Sequence, residues 1–278
     1  MKKGLKCLAL IGLVVSLAAC SNNEAANKEA TASHTKEDKV IKVATQAPPM
    51  TDVVLAAKDA AKKDGWDIEI VSVNDNIQYN EMLKSKEVDA NFAQHKPYME
   101  KFNEEKGADL VAIQPVYDAK VGYYSKDYKT IEELPDGMTV AIPNDVSNEG
   151  RALAMLDEQG LITLNDGVGF NGTIKDIKEN PKNIEFLQVD LLNLAEAYNE
   201  KKVALVYNYP AYIAKVGLTP DDALFLENKI DTRFAISLVA RQDNENSEKI
   251  QALKKAMTSQ EVKDYLEKEH GNTAVPSF

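Results

Sequence analysis

The segment NDVSNEGRAL, residues 144–153, joins a predicted strand to a predicted helix. Before it, the apolar residues 138–142 are typical of a short buried strand. After it, residues 147–159 carry a helical pattern that ends at Gly160, and Ser147 can cap the first turn. A strand that passes through a polar loop into a helix is the unit from which α/β sheets are built.

The same segment is suited to hold an anion. The first N–H groups of a helix lack partners within it, and the helix dipole favours a negative charge there. Arg151 adds a planar guanidinium whose fork fits a carboxylate. In the alternative, Glu149 satisfies the dipole and Arg151 pairs with a surface acid. The spacing of the residues leaves both interpretations open.

Strand and helix patterns alternate from residue 40 to the end of the chain. Two successive α/β runs, joined by residues 121–125, predict an α/β protein of two lobes. The late strand and the terminal helices can return to the first lobe. Strands are predicted at residues 40–44, 68–73, 88–92, 110–116, 138–142, 184–189, 203–207 and 234–240, and helices at 51–64, 77–85, 97–107, 147–159, 191–199, 247–257 and 259–270.

Ligands of open α/β sheets bind beyond the carboxyl ends of the strands. Asn144 is a candidate contact on that ground. His95 lies between a predicted strand and a predicted helix, so it can donate to a ligand carboxylate or bond the backbone at the helix entry. The rule points to four segments, residues 46–50, 91–95, 144–151 and 208–212.

The first 20 residues predict export and a lipid anchor. Three lysines precede an apolar stretch at residues 7–19, which is too short for a comfortable membrane span and typical of a secretory signal at 1–19. The sequence LAAC resembles a bacterial lipobox, so Cys20 is the predicted lipidation site. The alternative is an ordinary signal with an accidental cysteine. Residues 20–39 contain no large apolar side chain and predict a flexible tether.

The charge of the chain disfavours nucleic acid and anionic lipid as partners. The formal net charge is −11, and the first 19 residues contribute +3, so the remainder carries about −14. No G-x-S-x-G or H-E-x-x-H motif occurs, and the histidines are scattered. We therefore expect neither catalysis, nor a metal, nor a cofactor.

One motif imitates a dinucleotide site. The sequence GVGFNG at residues 167–172 fits G-x-G-x-x-G, and Asp190 lies about 20 residues further on, as that motif requires. However, the segment that follows, residues 173–180, is short and stops at Pro181. We interpret the motif as a flexible turn.

Four stretches give the chain a resemblance to a known family. With them it resembles the NlpA-type methionine-binding lipoproteins that serve ABC importers. The resemblance implies a two-lobed periplasmic-binding-protein fold, type II-like, with the ligand cleft between the lobes. It also implies that Arg151 holds the ligand carboxylate and that His95 assists. The stretches are VDANFAQHKPYMEKFNEEKG (88–107), GYYSKDYKTIEELPDGMTVAIPNDVSNEGRALAML (122–156), IKENPKNIEFLQVD (177–190) and GLTPDDALFLE (217–227).

The chain departs from the family pattern where the rest of methionine would bind. Asn76 replaces a tyrosine, Ala93 replaces an aromatic residue, and an apolar residue within RFAIS, residues 233–237, replaces a late asparagine. Asn208 is the plausible counterpart of the family's strand-end asparagines. Four tyrosines can rebuild the walls or pack in the core: Tyr79, Tyr207, Tyr209 and Tyr212.

The sequence thus predicts a lipid-anchored, substrate-binding protein on the extracytoplasmic face of the cell membrane. Lobe 1 is predicted at residues 40–120 plus 235–278, and lobe 2 at 121–234. The expected ligand is methionine or a related amino acid, delivered to an ABC permease and its ATPase. The alternatives are another amino acid or a short peptide as ligand, an extracellular α/β enzyme, or a surface protein that does not transport.

Overall fold

The computed structural model of the protein describes residues 39–271 and 273–278. The predicted signal, Cys20 and all of the tether except its last residue lie outside them. The strands are β1 (Val40–Thr45), β2 (Asp67–Ser72), β3 (Ala90–His95), β4 (Leu110–Asp118), β5 (Gly122–Tyr124), β6 (Thr139–Pro143), β7 (Thr163–Leu164), β8 (Ile177–Glu179), β9 (Glu185–Val189), β10 (Val203–Asn208), β11 (Ala223–Leu226), β12 (Ile236–Arg241) and β13 (Val275–Pro276). The α-helices are α1 (Met50–Lys63), α2 (Gln78–Lys84), α3 (Lys96–Lys106), α4 (Val146–Glu158), α5 (Pro210–Ile213), α6 (Glu248–Met257) and α7 (Gln260–Glu269).

The strands form two large sheets. The first sheet has the order β13-β4-β12-β3-β1-β2, and the second has the order β11-β5-β10-β6-β9. Strands β1, β2 and β3 run parallel, whereas β12 is antiparallel to both β3 and β4. In the second sheet, β6 is parallel to β9 and β10, and β5 is antiparallel to β10. The fold is α/β, as predicted, and the late strand β12 returns to the first sheet.

Helix α1 shows how the core of the first sheet forms. Its buried residues include Val53, Ala57 and Ala61, which are spaced by four and therefore lie on one face. That helix packs beside α6 and α7, and α6 buries Leu253 and Met257, again four residues apart. The spacing of apolar residues thus decides which face of each helix meets the core.

Most predicted helix ends agree with the structure to within a residue or two. Gly107 follows α3 with φ of +57° and Gly160 follows α4 with φ of +70°, which is the left-handed backbone that glycine adopts without strain. The helix predicted at 191–199 is wrong, because the structure has a 3-10 helix over Leu194–Asn199. Before it, the carboxylate of Asp190 accepts from the N–H of Leu192 at 3.0 Å and so favours a turn.

Candidate functional site

A cavity of about 330 Å³ is lined by elements that belong to both sheets. From the first sheet and its helices come residues of α1, α2, β3, α3, β4 and β12. From the second come residues of α4, of α5 and of the segment after α5. The volume lies within the range of about 300–1,000 Å³ that is usual for small-molecule sites.

The start of α4 is satisfied by the chain itself. Asp145 is the N-cap residue, and its carboxylate accepts from the N–H of Asn148 at 3.0 Å. The side-chain amide of Asn148 donates to the same carboxylate, at 3.0 Å to each oxygen. The prediction that Ser147 caps the helix is wrong, because its hydroxyl donates to Asp145 at 2.9 Å instead. An acidic side chain therefore already occupies the helix start.

Arg151, one turn from the start of α4, is buried, with 1 % of its surface exposed. Its Nε and Nη2 donate to the two carboxylate oxygens of Glu227 at 2.9 and 2.6 Å. Nη1 donates to the hydroxyl of Tyr209, and Nη2 also donates to the carbonyl of Ala119, both at 3.2 Å. The ring of Phe234 lies 4.4 Å from the guanidinium carbon.

The proposal that the Arg151 fork meets a ligand carboxylate stays a prediction, and in the structure the fork has an internal partner. Glu227 fills the fork from within the chain, and Arg151 is not among the residues that line the cavity. The alternative is met only in part: Arg151 pairs with an acid, but that acid is buried rather than on the surface, and the carboxylate of Glu149 accepts from the N–H of Ile174 at 2.9 Å.

A chain of hydrogen bonds links Arg151 to the opposite wall. The hydroxyl of Tyr209 donates to Oδ1 of Asn148 at 2.8 Å, and Nε2 of His95 lies 3.1 Å from the same oxygen. Nδ1 of His95 accepts from the N–H of Tyr98 at 3.2 Å, so the ring proton resides on Nε2 and is donated to Asn148. His95 therefore caps α3 and bridges the two sides of the cavity.

Burial sets the protonation of these groups. It lowers the pKa of His95 to about 4, although the hydrogen bond with Asn148 opposes the shift. Burial raises the pKa of Asp145, while hydrogen bonds from Asn148 and Ser147 oppose that shift. Burial also works against the charge of Arg151, but Tyr209, Tyr207 and Glu227 more than offset it and its pKa is raised. At neutral pH His95 is uncharged and Arg151 is charged.

Three buried amides support the wall formed by the first sheet. Nδ2 of Asn80 donates to Oε1 of Gln94 at 2.8 Å, and Nε2 of Gln94 donates to Oδ1 of Asn91 at 2.9 Å. Nδ2 of Asn91 donates to Oδ1 of Asn80 at 2.8 Å and completes the ring. Gln94 lines the cavity, but its amide is engaged within this cluster.

Tyrosines make up much of the remaining wall. The hydroxyl of Tyr98 donates to the carbonyl of Asn76 at 2.8 Å, and that of Tyr212 donates to Gln46 at 3.3 Å. Tyr207 does not line the cavity; it is fully buried, and its ring centroid lies 5.6 Å from that of Tyr123. The tyrosines that line the cavity are Tyr79, Tyr98, Tyr117, Tyr209 and Tyr212.

The structure separates the seven predicted ligand contacts into two groups. Asn144 is exposed, and its N–H donates to the carbonyl of Val189 at 3.0 Å. Asn208 is buried, and its side-chain oxygen accepts from the N–H of Tyr209 at 3.0 Å. Neither of these lines the cavity, nor does Arg151. The four that line it are Asn76, Ala93, His95 and Tyr209.

Sequence reasoning missed Glu227 and Asn148, and it did not say which residue of RFAIS reaches the cavity. Glu227 directly follows the apolar residues of β11, and a buried arginine requires an acid, so its position was a usable signal. Asn148 lies within the first turn of α4, where a side chain can reach both the cap and the cavity. Of the apolar residues within RFAIS, Ile236 lines the cavity.

The G-x-G-x-x-G segment packs against α4. Gly169–Asn171 forms one 3-10 turn, and a Cβ at Gly150 would collide with the carbonyl oxygen of Phe170. No long helix follows the segment, whereas a dinucleotide motif opens one. The absence of a side chain at Gly150 is what lets this loop approach the helix.

Two kinds of feature do not occur in residues 39–271 and 273–278. Within those ranges, no helix is both long enough and apolar enough to span a membrane. In the same part of the chain, no group of three or more His, Cys, Asp or Glu side chains is placed to hold a metal ion.

Two α/β sheets that share a small-molecule cavity define a two-lobed substrate-binding fold. The chain belongs to the NlpA lipoprotein family, whose sequence model matches residues 41–278.

Relatives and solved structures agree with this assignment. The chain is 35 % identical over 272 residues to a D-methionine-binding lipoprotein MetQ from Salmonella typhimurium, which covers 97 % of this chain and 96 % of that protein. It is 50 % identical to a YaeC-family lipoprotein from Enterococcus faecalis, with a TM-score of 0.78 over 87 % of this chain and 100 % of that one. A periplasmic substrate-binding protein of an ABC transporter from Coxiella burnetii is 32 % identical, with a TM-score of 0.80 over 85 % of this chain and 100 % of that one. These relatives are named as lipoproteins or binding proteins, not as enzymes.

Proposed function

We propose that this chain is the substrate-binding lipoprotein of an ABC importer, which captures methionine or a related amino-acid ligand and delivers it to a permease and its ATPase. The observation that carries the proposal is the cavity between the two sheets. Membership of the NlpA lipoprotein family and the names of the relatives support the cargo and the transport role.

In this proposal, residues 40–120 plus 235–278 and residues 121–234 are the two lobes, and they close on the ligand. The membership of the two sheets supports these boundaries, since every strand from β5 to β11 lies outside the first sheet. The hydrogen bonds from His95 to Asn148 and from Tyr212 to Gln46 join the two sides and would form on closure. Small-angle scattering with and without bound cargo checks this, and an unchanged radius of gyration at saturation would count against closure.

The protein in this account performs no catalysis. Hydrolysis by a nucleophile requires a hydroxyl or thiol within hydrogen-bond reach of a base. His95 is the buried histidine at the cavity, and its ring nitrogens bond Asn148 and the backbone of Tyr98. Two threonines line the cavity, and neither hydroxyl bonds His95: that of Thr219 donates to Asp222 in a capping box, and that of Thr273 donates to the carbonyl of His270.

The anchor in this proposal is lipid on Cys20, followed by the tether at residues 20–39. Stable attachment requires more than one acyl chain, which a bacterial lipoprotein provides. Metabolic labelling with a fatty acid should mark the wild type and leave the Cys20→Ser protein unlabelled. Equal labelling of both proteins would contradict the assignment of Cys20.

Mass spectrometry of the protein purified without denaturation tests the proposed function. We expect a bound small molecule of the amino-acid class, released when the protein is unfolded. The same preparation, emptied by unfolding and refolded, should rebind that molecule in a calorimetric titration. Release of an unrelated compound, or no binding by any amino acid or amino-acid derivative, would overturn the proposal.

A further inference from the structure

One tyrosine hydroxyl at the cavity has no hydrogen bond within the chain. Tyr117 is the second-last residue of β4, it is buried with 3 % of its surface exposed, and it lines the cavity. Its hydroxyl makes no hydrogen bond with any other residue that the structure describes. Buried polar groups are almost always hydrogen-bonded, so this hydroxyl needs a partner that the chain does not supply.

The other hydroxyls of the cavity wall already have partners in the chain. They belong to Tyr79, Tyr98, Tyr209, Tyr212, Thr219 and Thr273. A ligand that took one of these groups would replace an existing hydrogen bond, and such an exchange gains little. Tyr117 can bind a ligand without losing a bond of its own.

The strand partner of Tyr117 cannot supply the same contact. In the antiparallel ladder between β4 and β12, Tyr117 pairs with Ile236, and both residues line the cavity. Directly opposed residues of paired strands project from the same face of the sheet. Ile236 has an apolar side chain, so Tyr117 supplies the polar group at this point of the wall. The ring of Phe92 supports that of Tyr117 edge-on, with 5.9 Å between the ring centroids.

The Tyr117 hydroxyl keeps its proton at neutral pH and is open to the cavity. Burial raises the pKa of Tyr117 well above its ordinary value, so the phenol is neutral. A neutral phenol can donate its proton to an oxygen and can also accept from an N–H. The hydroxyls of Tyr124 and Tyr207 likewise have no partner among the described residues, but they are enclosed by the protein and do not line the cavity.

We propose that the Tyr117 hydroxyl binds the charged end of the amino-acid ligand, at its amine or its carboxylate. This inference rests on the proposed function and adds a contact to its site. A buried charged group requires hydrogen-bond partners, whereas an apolar ligand side chain gains nothing from an unpaired hydroxyl. The hydroxyl therefore orients the ligand with its charged end towards β4.

Tyr117→Phe tests the inference, because it removes the hydroxyl and keeps the ring. Tyr124→Phe is the matched control, since it removes a buried hydroxyl that also has no partner but does not line the cavity. Calorimetry measures the affinity of the wild type and both variants for methionine and for norleucine, in which a methylene replaces the sulfur. Each protein is emptied of bound cargo before titration, and urea unfolding without ligand measures its stability.

We expect Tyr117→Phe to weaken the binding of both compounds by the same factor, about tenfold or more, because a hydrogen bond to a charged group is lost. Its stability without ligand should equal or exceed that of the wild type, since the hydroxyl has no partner to lose. Tyr124→Phe should leave both affinities unchanged.

Unchanged affinity in Tyr117→Phe, or an equal loss in Tyr124→Phe, would overturn the inference and leave the proposed function standing. A loss confined to methionine would also overturn it, because the hydroxyl would then contact the sulfur. If the wild type binds neither compound, the amino acid that the purified protein releases takes their place in the same titrations. Release of no compound of the amino-acid class would overturn both the inference and the proposed function.

Discussion

At two places beside the cavity a strand turns directly into a helix, and we call each of these a corner. The unpaired N–H groups at the two helix starts are capped by different chemical groups. At the end of β3, the neutral ring of His95 caps α3. At the end of β6, the carboxylate of Asp145 caps α4, and Arg151 and Glu227 form an ion pair one turn further on. Both corners satisfy their helix starts from within the chain. A polar loop at a strand end is thus evidence for a buried network as much as for a ligand site.

The largest expected effect comes from breaking the charged corner. Glu227→Ala leaves the guanidinium of Arg151 buried without its carboxylate, which should lower the free energy of unfolding by roughly 3–5 kcal/mol. Urea unfolding followed by circular dichroism measures this change. The double variant Arg151→Met with Glu227→Leu should recover most of the loss, because no unpaired charge remains.

The matched control for Glu227→Ala is Glu104→Ala. Glu104 pairs with Lys101 on the surface, so its removal should leave the urea midpoint close to that of the wild type. Equal losses for the buried and the exposed pair would mean that burial does not distinguish them.

The next effect is a pH dependence at the neutral corner. The pKa of His95 is lowered from its ordinary value of 6.5 to about 4, so the unfolded chain binds this proton more readily than the folded chain does. Stability from the neutral ring is present above pH 6.5 and is lost as the pH falls towards 4, by up to about 3 kcal/mol. The free energy of unfolding measured across that window checks the prediction.

Two glutamine variants isolate that contribution. His95→Gln can still accept from the N–H of Tyr98 and donate to Asn148, but it cannot titrate, so it should flatten the profile between pH 6.5 and 4. His270→Gln should flatten it less, because the ring of His270 is only half-buried. Identical profiles for the wild type and His95→Gln would show that His95 does not carry the dependence.

The smallest expected effect concerns the cap of α4, for which Ser147 was predicted and Asp145 is observed. Asp145→Ala removes the acceptor for the N–H of Asn148 and should lower the free energy of unfolding by roughly 0.5–2 kcal/mol. Ser147→Ala should have a smaller effect, since its hydroxyl bonds Asp145 and not the helix backbone. Thermal unfolding of the two variants measures these losses. A larger loss for Ser147→Ala than for Asp145→Ala would indicate that Ser147 is the cap.

The parts of the fold that sequence predicted are those decided by neighbours along the chain. Glycines after the helices and apolar residues spaced by four gave α1, α3 and α4 to within a residue or two. A local signal failed at the start of α4, where Ser147 was predicted to cap the helix and Asp145, two residues earlier, does so.

The site was predicted less completely, since its partners lie far apart in sequence. His95 and Ala93 reach the cavity because they lie at the end of β3, whereas Asn76, in the loop before α2, was predicted from the family resemblance. Arg151 and Glu227 are separated by 76 residues, so no local pattern joins them. A buried ion pair and a ligand clamp require the same guanidinium, so the pairing of Arg151 with Glu227 leaves the clamp a prediction.

A crystal structure of the protein with its native cargo would test the central claim most directly. We predict that both carboxylate oxygens of Glu227 remain on Arg151, near the present 2.9 and 2.6 Å. We also predict that the ligand lies in the cavity between the two sheets and contacts the tyrosines, Ile236 and Asn148. A ligand bound outside that cavity, or a Glu227 carboxylate displaced from Arg151, would contradict the account.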